Sequence, residues 1–81
     1  MSTSPVRVEP LAVSVSSDTT RLLVGLADGR EISVPLVWFP RLHDASPEDR
    51  AEYILIGGGI GIHWPRIDED LSVAGLLRGD H

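Results

Sequence analysis

Apolar and polar residues alternate along the first part of the chain with a period of two. Such alternation is typical of strands with one buried face. It predicts a first strand from Val6 to Val15. Pro10 interrupts the pattern, and because an internal proline is tolerated only at an edge or a bulge, we expect this strand to be bent or bulged. Ser16-Ser17-Asp18-Thr19 then has the composition of a turn.

Two further alternating segments predict a hairpin after that turn. Arg21–Leu26 and Glu31–Val34 are separated by a loop that contains Asp28-Gly29. This dipeptide is typical of a type I′ turn, since both central positions need a positive φ that Asp tolerates and Gly adopts freely. The first three strands are therefore predicted to form an antiparallel meander.

A glycine turn organises the second half of the chain. Tyr53–Ile56 reads as a fourth strand, and Gly57-Gly58 allows a tight reversal into a fifth strand that ends before Pro65. Alternation sends Ile60, Ile62 and Trp64 to the core and Gly59, Gly61 and His63 to the other face. The acids Asp68, Glu69 and Asp70 are predicted to lie in a loop after this strand.

Short helices are expected around the strands. The apolar segment Leu36–Phe39 predicts one or two helical turns, with Trp38, Phe39 and Leu42 as a lid on the core. Ser46 is a good N-cap for a helix that begins at Pro47. A terminal helix is expected to follow Ser72 as its N-cap and to end at Gly79.

These elements predict an α+β fold. We expect one small, mostly antiparallel five-stranded sheet, made of the three-stranded meander and the glycine-turn hairpin, with two or three short helices. With 81 residues the chain predicts one domain, residues 1–81, in which Met1–Pro5 is flexible. A core this small gains from dimerisation, so a homo-oligomer is one expectation.

Charge and composition narrow the classes of partner. The formal net charge is −5, and all seven cations are arginines scattered along the chain. Without a basic patch we expect no direct nucleic-acid partner, and a basic protein is the better candidate. The chain has no cysteine, no predicted signal peptide and no apolar run long enough to cross a bilayer, which predicts a soluble cytoplasmic protein.

Candidate chemistry is sparse. The glycine cluster does not match the spacing of dinucleotide loops, and the chain has no lysine for a phosphate loop. His63 with Asp68 and Asp70 could ligate a metal ion, but acids before a helix are more simply explained as dipole partners and solvated charge. An acid and base pair of His63 and Glu69 has no recognisable nucleophile beside it. We therefore expect no enzyme and no cofactor; a metal or small-ligand sensor built on His63 stays as an alternative.

The side of the fifth strand that carries Gly61 and His63 has two interpretations. With Arg66 nearby it could be a docking strip for another chain, or the terminal helix could cover it at Gly75. Trp38 and Trp64 could be core or interface anchors. The candidate partner-binding residues are Trp38, Arg41, Gly61, His63, Trp64, Arg66, Asp68, Glu69 and Asp70.

Several of these motifs together resemble a known family. Asp28-Gly29-Arg30, the segment Pro35–Leu42, the segment Ile56–Pro65 and the segment Ile67–Ser72 resemble the bacterial domain-of-unknown-function 2442 family. The resemblance implies a small α+β domain with a mostly antiparallel sheet. Since such proteins are often encoded beside a second small protein, it also implies the antitoxin half of a toxin–antitoxin pair. The leading hypothesis is thus a non-enzymatic domain that neutralises a small basic protein.

Overall fold

The protein is an α+β structure with six strands and three short α-helices, in a computed structural model that describes residues 10–79. The strands form two three-stranded antiparallel sheets, ordered β1-β2-β3 and β4-β5-β6. The strands are β1 Ala12–Ser17, β2 Arg21–Leu26, β3 Glu31–Pro35, β4 Ile54–Ile56, β5 Gly61–Trp64 and β6 Glu69–Ser72. The helices are a 3₁₀ helix at Leu36–Trp38, α1 Pro40–His43, α2 Pro47–Ala51 and α3 Val73–Arg78.

The predicted antiparallel α+β class is confirmed, but the single five-stranded sheet is wrong. The acids that were expected in a loop belong in part to a sixth strand, because Glu69 pairs with Trp64 and Asp70 with His63. Asp68, at φ 53°, closes the connection that returns the chain beside β5. Aspartate adopts this left-handed geometry more readily than most residues.

The β2–β3 hairpin also differs from the prediction. Gly29 has a positive φ of 94°, but Asp28 does not, so the turn is not type I′. The amide of Gly29 donates to the carbonyl of Leu26 at 3.0 Å, and Leu26 and Arg30 close the loop. This is the three-residue hairpin in which a left-handed glycine follows the turn. The Asp28 carboxylate instead accepts from the backbone and guanidinium of Arg30.

The first strand is bulged, as predicted, but at another residue. Ala12 pairs with Leu26 and Ser14 with Gly25, so Val13 is the extra residue. The predicted parts of this strand before Pro10, and the predicted flexible Met1–Pro5, lie outside the described residues. The strand continues through Ser17, and the turn is centred later than expected, where the Asp18 carboxylate accepts from two backbone amides.

Residues from both sheets, from the predicted lid and from α3 form one hydrophobic core. Of the predicted lid, Phe39 and Leu42 are buried, and Trp38 is half-buried against the core. Ile62 and Trp64 are fully buried, as predicted. The core residues are Ala12, Leu22, Val24, Leu26, Ile32, Val34, Leu36, Phe39, Leu42, Ile62, Trp64, Val73 and Leu76.

Helix caps agree with the sequence. Ser46 accepts from the amide of Asp49 at 3.1 Å, and Ser72 accepts from the amide of Gly75 at 2.9 Å. Gly79 ends α3 in the left-handed conformation that glycine favours. Among the helices of residues 10–79, none has the length and apolar character to cross a bilayer.

Ile60 does not lie in the core, contrary to its predicted position. The reversal takes up Gly57–Ile60, β5 begins only at Gly61, and Ile60 is 49% exposed. The three glycines Gly57, Gly58 and Gly59 all have positive φ, so the turn is longer than a two-residue reversal. Side chains alternate between the two faces only where the strand is paired. Ile60 precedes β5, and the period-two prediction is therefore wrong at this residue.

Candidate protein-binding face

The outward side of the second sheet forms two short rows of side chains. Residues that pair directly across antiparallel strands present their side chains on the same face. Pairing therefore places Ile54, His63 and Asp70 in one row and Ile56, Gly61 and Ser72 in the other. We call these six residues the open face.

The open face is apolar along β4 and polar along β6. Ile54 is 54% exposed and Ile56 is 45% exposed, whereas the alternate residues Tyr53 and Leu55 pack against the core. A strand that is apolar on both faces is typical of a sheet that is covered on both sides. Within residues 10–79 the outer side of β4 is not covered.

The first sheet shows the contrast. Its inner face is apolar, and the row that runs through Leu23 on its outer face has Ser16 on one side and Ser33 on the other. The next outer pair includes the exposed Glu31. Polar residues on a solvated face are the ordinary arrangement for an antiparallel sheet. The paired exposed isoleucines therefore distinguish the outer face of the second sheet from that of the first.

His63 and Asp70 form the polar half of the first row. Nδ1 of His63 lies 2.5 Å from Oδ1 of Asp70 across the β5–β6 ladder. The side chain of His63 is 29% exposed and that of Asp70 is 69% exposed. The row therefore runs from the apolar Ile54 on β4, through the imidazole of His63 on β5, to the carboxylate of Asp70 on β6.

A shallow apolar groove extends the open face beyond Ser72. Its lining consists of Pro10, Ile60, Ser72 and Ala74, and its volume is about 350 Å³. The side chain of Ile60 folds over Gly57, where even a methyl group would stand 2.7 Å from it. Glycine at position 57 thus leaves room for the exposed side chain of Ile60 next to the open face.

The terminal helix leaves the open face uncovered. Helix α3 packs against β6 and against β3 of the first sheet, and its buried residues are Val73, Gly75 and Leu76. The alternative in which α3 covers the His63 side at Gly75 does not hold, because the isoleucines on that side remain exposed. Gly61 and His63 thus lie on the same uncovered side of β5, as the docking-strip interpretation expects.

Arg41 and Arg66, two of the candidate partner-binding residues, connect the turn between β5 and β6 to the helices. Nη1 of Arg41 donates to the backbone carbonyl of Asp68 at 2.7 Å, which ties this turn to α1. Nε of Arg66 donates to Asp49 at 2.8 Å, and Glu52 lies 4.0 Å from its guanidinium. These contacts give both arginines structural partners, and the pairing of the strands does not place them on the open face.

The remaining candidates separate by burial. Trp64 has no exposed area, and its indole N–H donates to the carbonyl of Arg50 at 3.0 Å, so it belongs to the core and not to a docking surface. Trp38 is half-buried and meets Phe39 edge to face. Glu69 pairs with Trp64 and so lies opposite the open face. Gly61, His63 and Asp70 are the predicted residues that the structure brings together.

Sequence reasoning missed Ile54 and Ile56. The segment Tyr53–Ile56 has no alternation, so a period-two search gives it no outer face. The signal was the continuous apolar run itself, which predicts burial on both sides of a strand.

The described residues offer few metal ligands at this surface. Across residues 10–79, no group of three or more His, Asp or Glu side chains is arranged to hold a metal ion.

A separate groove of about 470 Å³ lies between β1 and α2 and is lined by Val15, Ser17, Pro47, Arg50 and their neighbours.

Fold and surface together define a small α+β domain with two antiparallel sheets, one of which has exposed isoleucines on the outer face of its β4 strand. The family described as protein of unknown function, DUF2442, matches residues 10–81, and the chain belongs to this family.

Two solved structures are similar to this chain. One is a crystal structure of a protein of unknown function from Rhodospirillum rubrum, with TM-score 0.77, 32% identity and 89% of each chain covered. The other is the solution NMR structure of an uncharacterized protein from Chromobacterium violaceum, with TM-score 0.73 and 28% identity, covering 86% of this chain and 66% of that one. No curated protein matches the chain.

Proposed function

We propose that this chain is a non-enzymatic, cytoplasmic protein-binding domain that uses the open face to capture a small basic protein. The observation that carries the proposal is the exposure of Ile54 and Ile56 on a paired sheet face. Contiguous exposed apolar surface on a small domain is typical of interaction sites. The proposal includes the antitoxin hypothesis, in which the basic protein is a toxin.

Charge supports a basic partner. The chain carries a net charge of −5, and Asp70 presents an exposed carboxylate on β6, at the edge of the open face opposite the isoleucines of β4. Several arginines of the described residues are engaged within the chain, such as Arg41 with a carbonyl and Arg66 with two acids. Complementary charge of this kind raises association rates and selects the partner more than it sets the affinity.

Coexpression with the product of the adjacent gene tests the proposal. The two proteins should copurify at low ionic strength, and the complex should weaken as salt screens the exposed charges. Failure to associate at low salt would remove the basic partner that the proposal names.

A matched pair of variants assigns the surface. Ile54→Thr with Ile56→Thr keeps β-branched residues in β4 but removes exposed apolar area, and should weaken the complex by about tenfold or more, on the scale of about 1.5–3 kcal/mol for a fully buried Ile. Val37→Thr is the control, because Val37 is 65% exposed but lies in the 3₁₀ helix and is not one of the six residues of the open face. Equal losses for both variants would contradict the assignment.

A further inference from the structure

We infer that the element bound on the open face is one amphipathic helix of the partner, which lies along the strands with an apolar stripe over β4 and a basic side chain at Asp70. This inference rests on the proposed function and adds the kind of structure that the partner presents.

The width of the sheet matches one helix. Three strands span two interstrand spacings of about 4.8 Å each, or about 10 Å. An α-helix with its side chains is about 10–12 Å in diameter. A sheet with an uncovered apolar face is completed in other folds by a helical layer, and this sheet has room for a single helix.

The two outer strands of the open face differ from each other in polarity, and each is uniform along its length. Both β4 residues of the open face are isoleucines, both β6 residues are polar, and β5 contributes His63 and Gly61 between them. A helix with its axis along the strands would hold one apolar edge over Ile54 and Ile56 throughout. Its opposite edge would follow Asp70 and Ser72. There a lysine or arginine would meet the exposed side of the carboxylate that His63 also contacts.

Gly61 makes a depression in the middle of the second row. A methyl group there would meet only the carbonyl of Leu71 at 3.5 Å and Cβ of Ile56 at 3.7 Å, which are ordinary contacts. The missing side chain therefore leaves a gap that a methyl group would fill without a clash. The backbone at this position does not require glycine, since the φ of Gly61 is not positive. A large apolar side chain of the helix fits between Ile56 and Ser72 at this position.

Two synthetic helical peptides test the inference with the intact chain. Both carry the same leucine stripe, and one has lysines and the other glutamates along one flank. We expect the lysine peptide to bind at least tenfold more tightly by fluorescence anisotropy, and its addition to shift the amide resonances of residues 54–56, 61–63 and 70–72. Equal affinities, no binding, or shifts confined to the groove between β1 and α2 would each overturn the inference.

Variants of the open face sharpen the test. Asp70→Asn should weaken the lysine peptide by about three- to fivefold and leave the glutamate peptide unchanged or slightly tighter, on the scale of an exposed ion pair. Gly61→Val fills the depression and should weaken binding of the lysine peptide by about tenfold. Gly61→Ala is its control, since a methyl group there would make only ordinary contacts and the chain should stay folded. Both glycine variants are checked by their amide spectra, and full affinity in a folded Gly61→Val chain would contradict the role of the depression.

Failure of this inference is distinguishable from failure of the proposed function. If the adjacent-gene product copurifies in a manner that depends on Ile54 and Ile56, but neither peptide binds, the function stands and the helix is wrong. If the lysine peptide binds but the adjacent-gene product does not associate, the helix site stands and that partner is wrong. A dimer of this chain that Ile54→Thr with Ile56→Thr converts to monomer, measured by light scattering, would assign the face to a second copy and overturn both.

Discussion

The backbone amide of Ala12 donates to the carbonyl of Gly59 at 2.8 Å, which joins the first strand of one sheet to the glycine turn of the other. The approach is so close that a methyl group on Gly59 would stand 2.4 Å from the Ala12 carbonyl oxygen. The turn therefore sets the position of the second sheet as well as reversing the chain between β4 and β5.

Gly59→Ala should destabilise the protein by about 3–5 kcal/mol. The substitution puts a side chain at a φ of 116° and creates a clash with the backbone of Ala12. Relief of that clash moves the two backbones apart and weakens the hydrogen bond between them. Gly58→Ala is the matched control, because Gly58 also has a positive φ, 71°, but has open space beside it, so its cost should be about 1–2 kcal/mol. Urea denaturation measures both, and equal costs would show that the contact with Ala12 is not a constraint.

Trp64→Phe should lower the free energy of unfolding by about 2–3 kcal/mol. The variant loses core volume and leaves the carbonyl of Arg50 without the indole N–H that now binds it. Urea denaturation measures the loss, with Val37→Thr as an exposed control that should change stability by less than about 0.5 kcal/mol. A folded Trp64→Phe chain should still bind its partner, since Trp64 has no exposed area; loss of binding without loss of stability would place it in the interface after all.

Ser72→Ala should cost about 1 kcal/mol of stability. Its hydroxyl accepts from the amide of Gly75 at the start of α3, and alanine leaves that amide without its cap. Ser16→Ala is the control, since Ser16 is an exposed serine in β1 and caps no helix. Thermal unfolding followed by circular dichroism compares the two, and similar midpoints would show that the cap is not needed.

Stability should fall in acid in part through Asp18. The amides of Thr20 and Arg21 both donate to its carboxylate and hold its pKa below the ordinary value of 3.8. Because the pKa in the folded state is depressed, this stabilisation is present above about pH 4 and is lost as the pH falls through the folded-state pKa. Asp18→Asn should flatten the pH dependence of the unfolding midpoint below pH 4, and an unchanged profile would contradict this role.

Local chemistry was readable from the sequence because it depends on neighbours along the chain. A cap depends on residues three apart, as at Ser46 and Ser72. The burial of Ile62 and Trp64 follows from the period of two within a strand. The division into two sheets depends instead on how β1 meets the glycine turn and on the left-handed Asp68, which a period-two pattern does not record.

The candidate site was readable only in part for the same reason. Gly61, His63 and Asp70 were named from the sequence, but their common face depends on β6, which was expected to be a loop. Arg41 and Arg66 were named as partner-binding residues because the sequence does not show which carbonyl or acid within the chain an arginine binds. In the structure both arginines hold the turn between β5 and β6, and the residues beside His63 on the open face are the isoleucines of β4.

Isoleucine methyl NMR tests the central claim most directly. The chain labelled at its isoleucine methyl groups is titrated with the adjacent-gene product, and the resonances of Ile54, Ile56 and Ile60 should shift or broaden first. Ile32, buried in the first sheet, serves as the internal reference and should move little. Shifts at Ile32 with unchanged Ile54 and Ile56 would show that the partner binds elsewhere and that the open face is not the interaction surface.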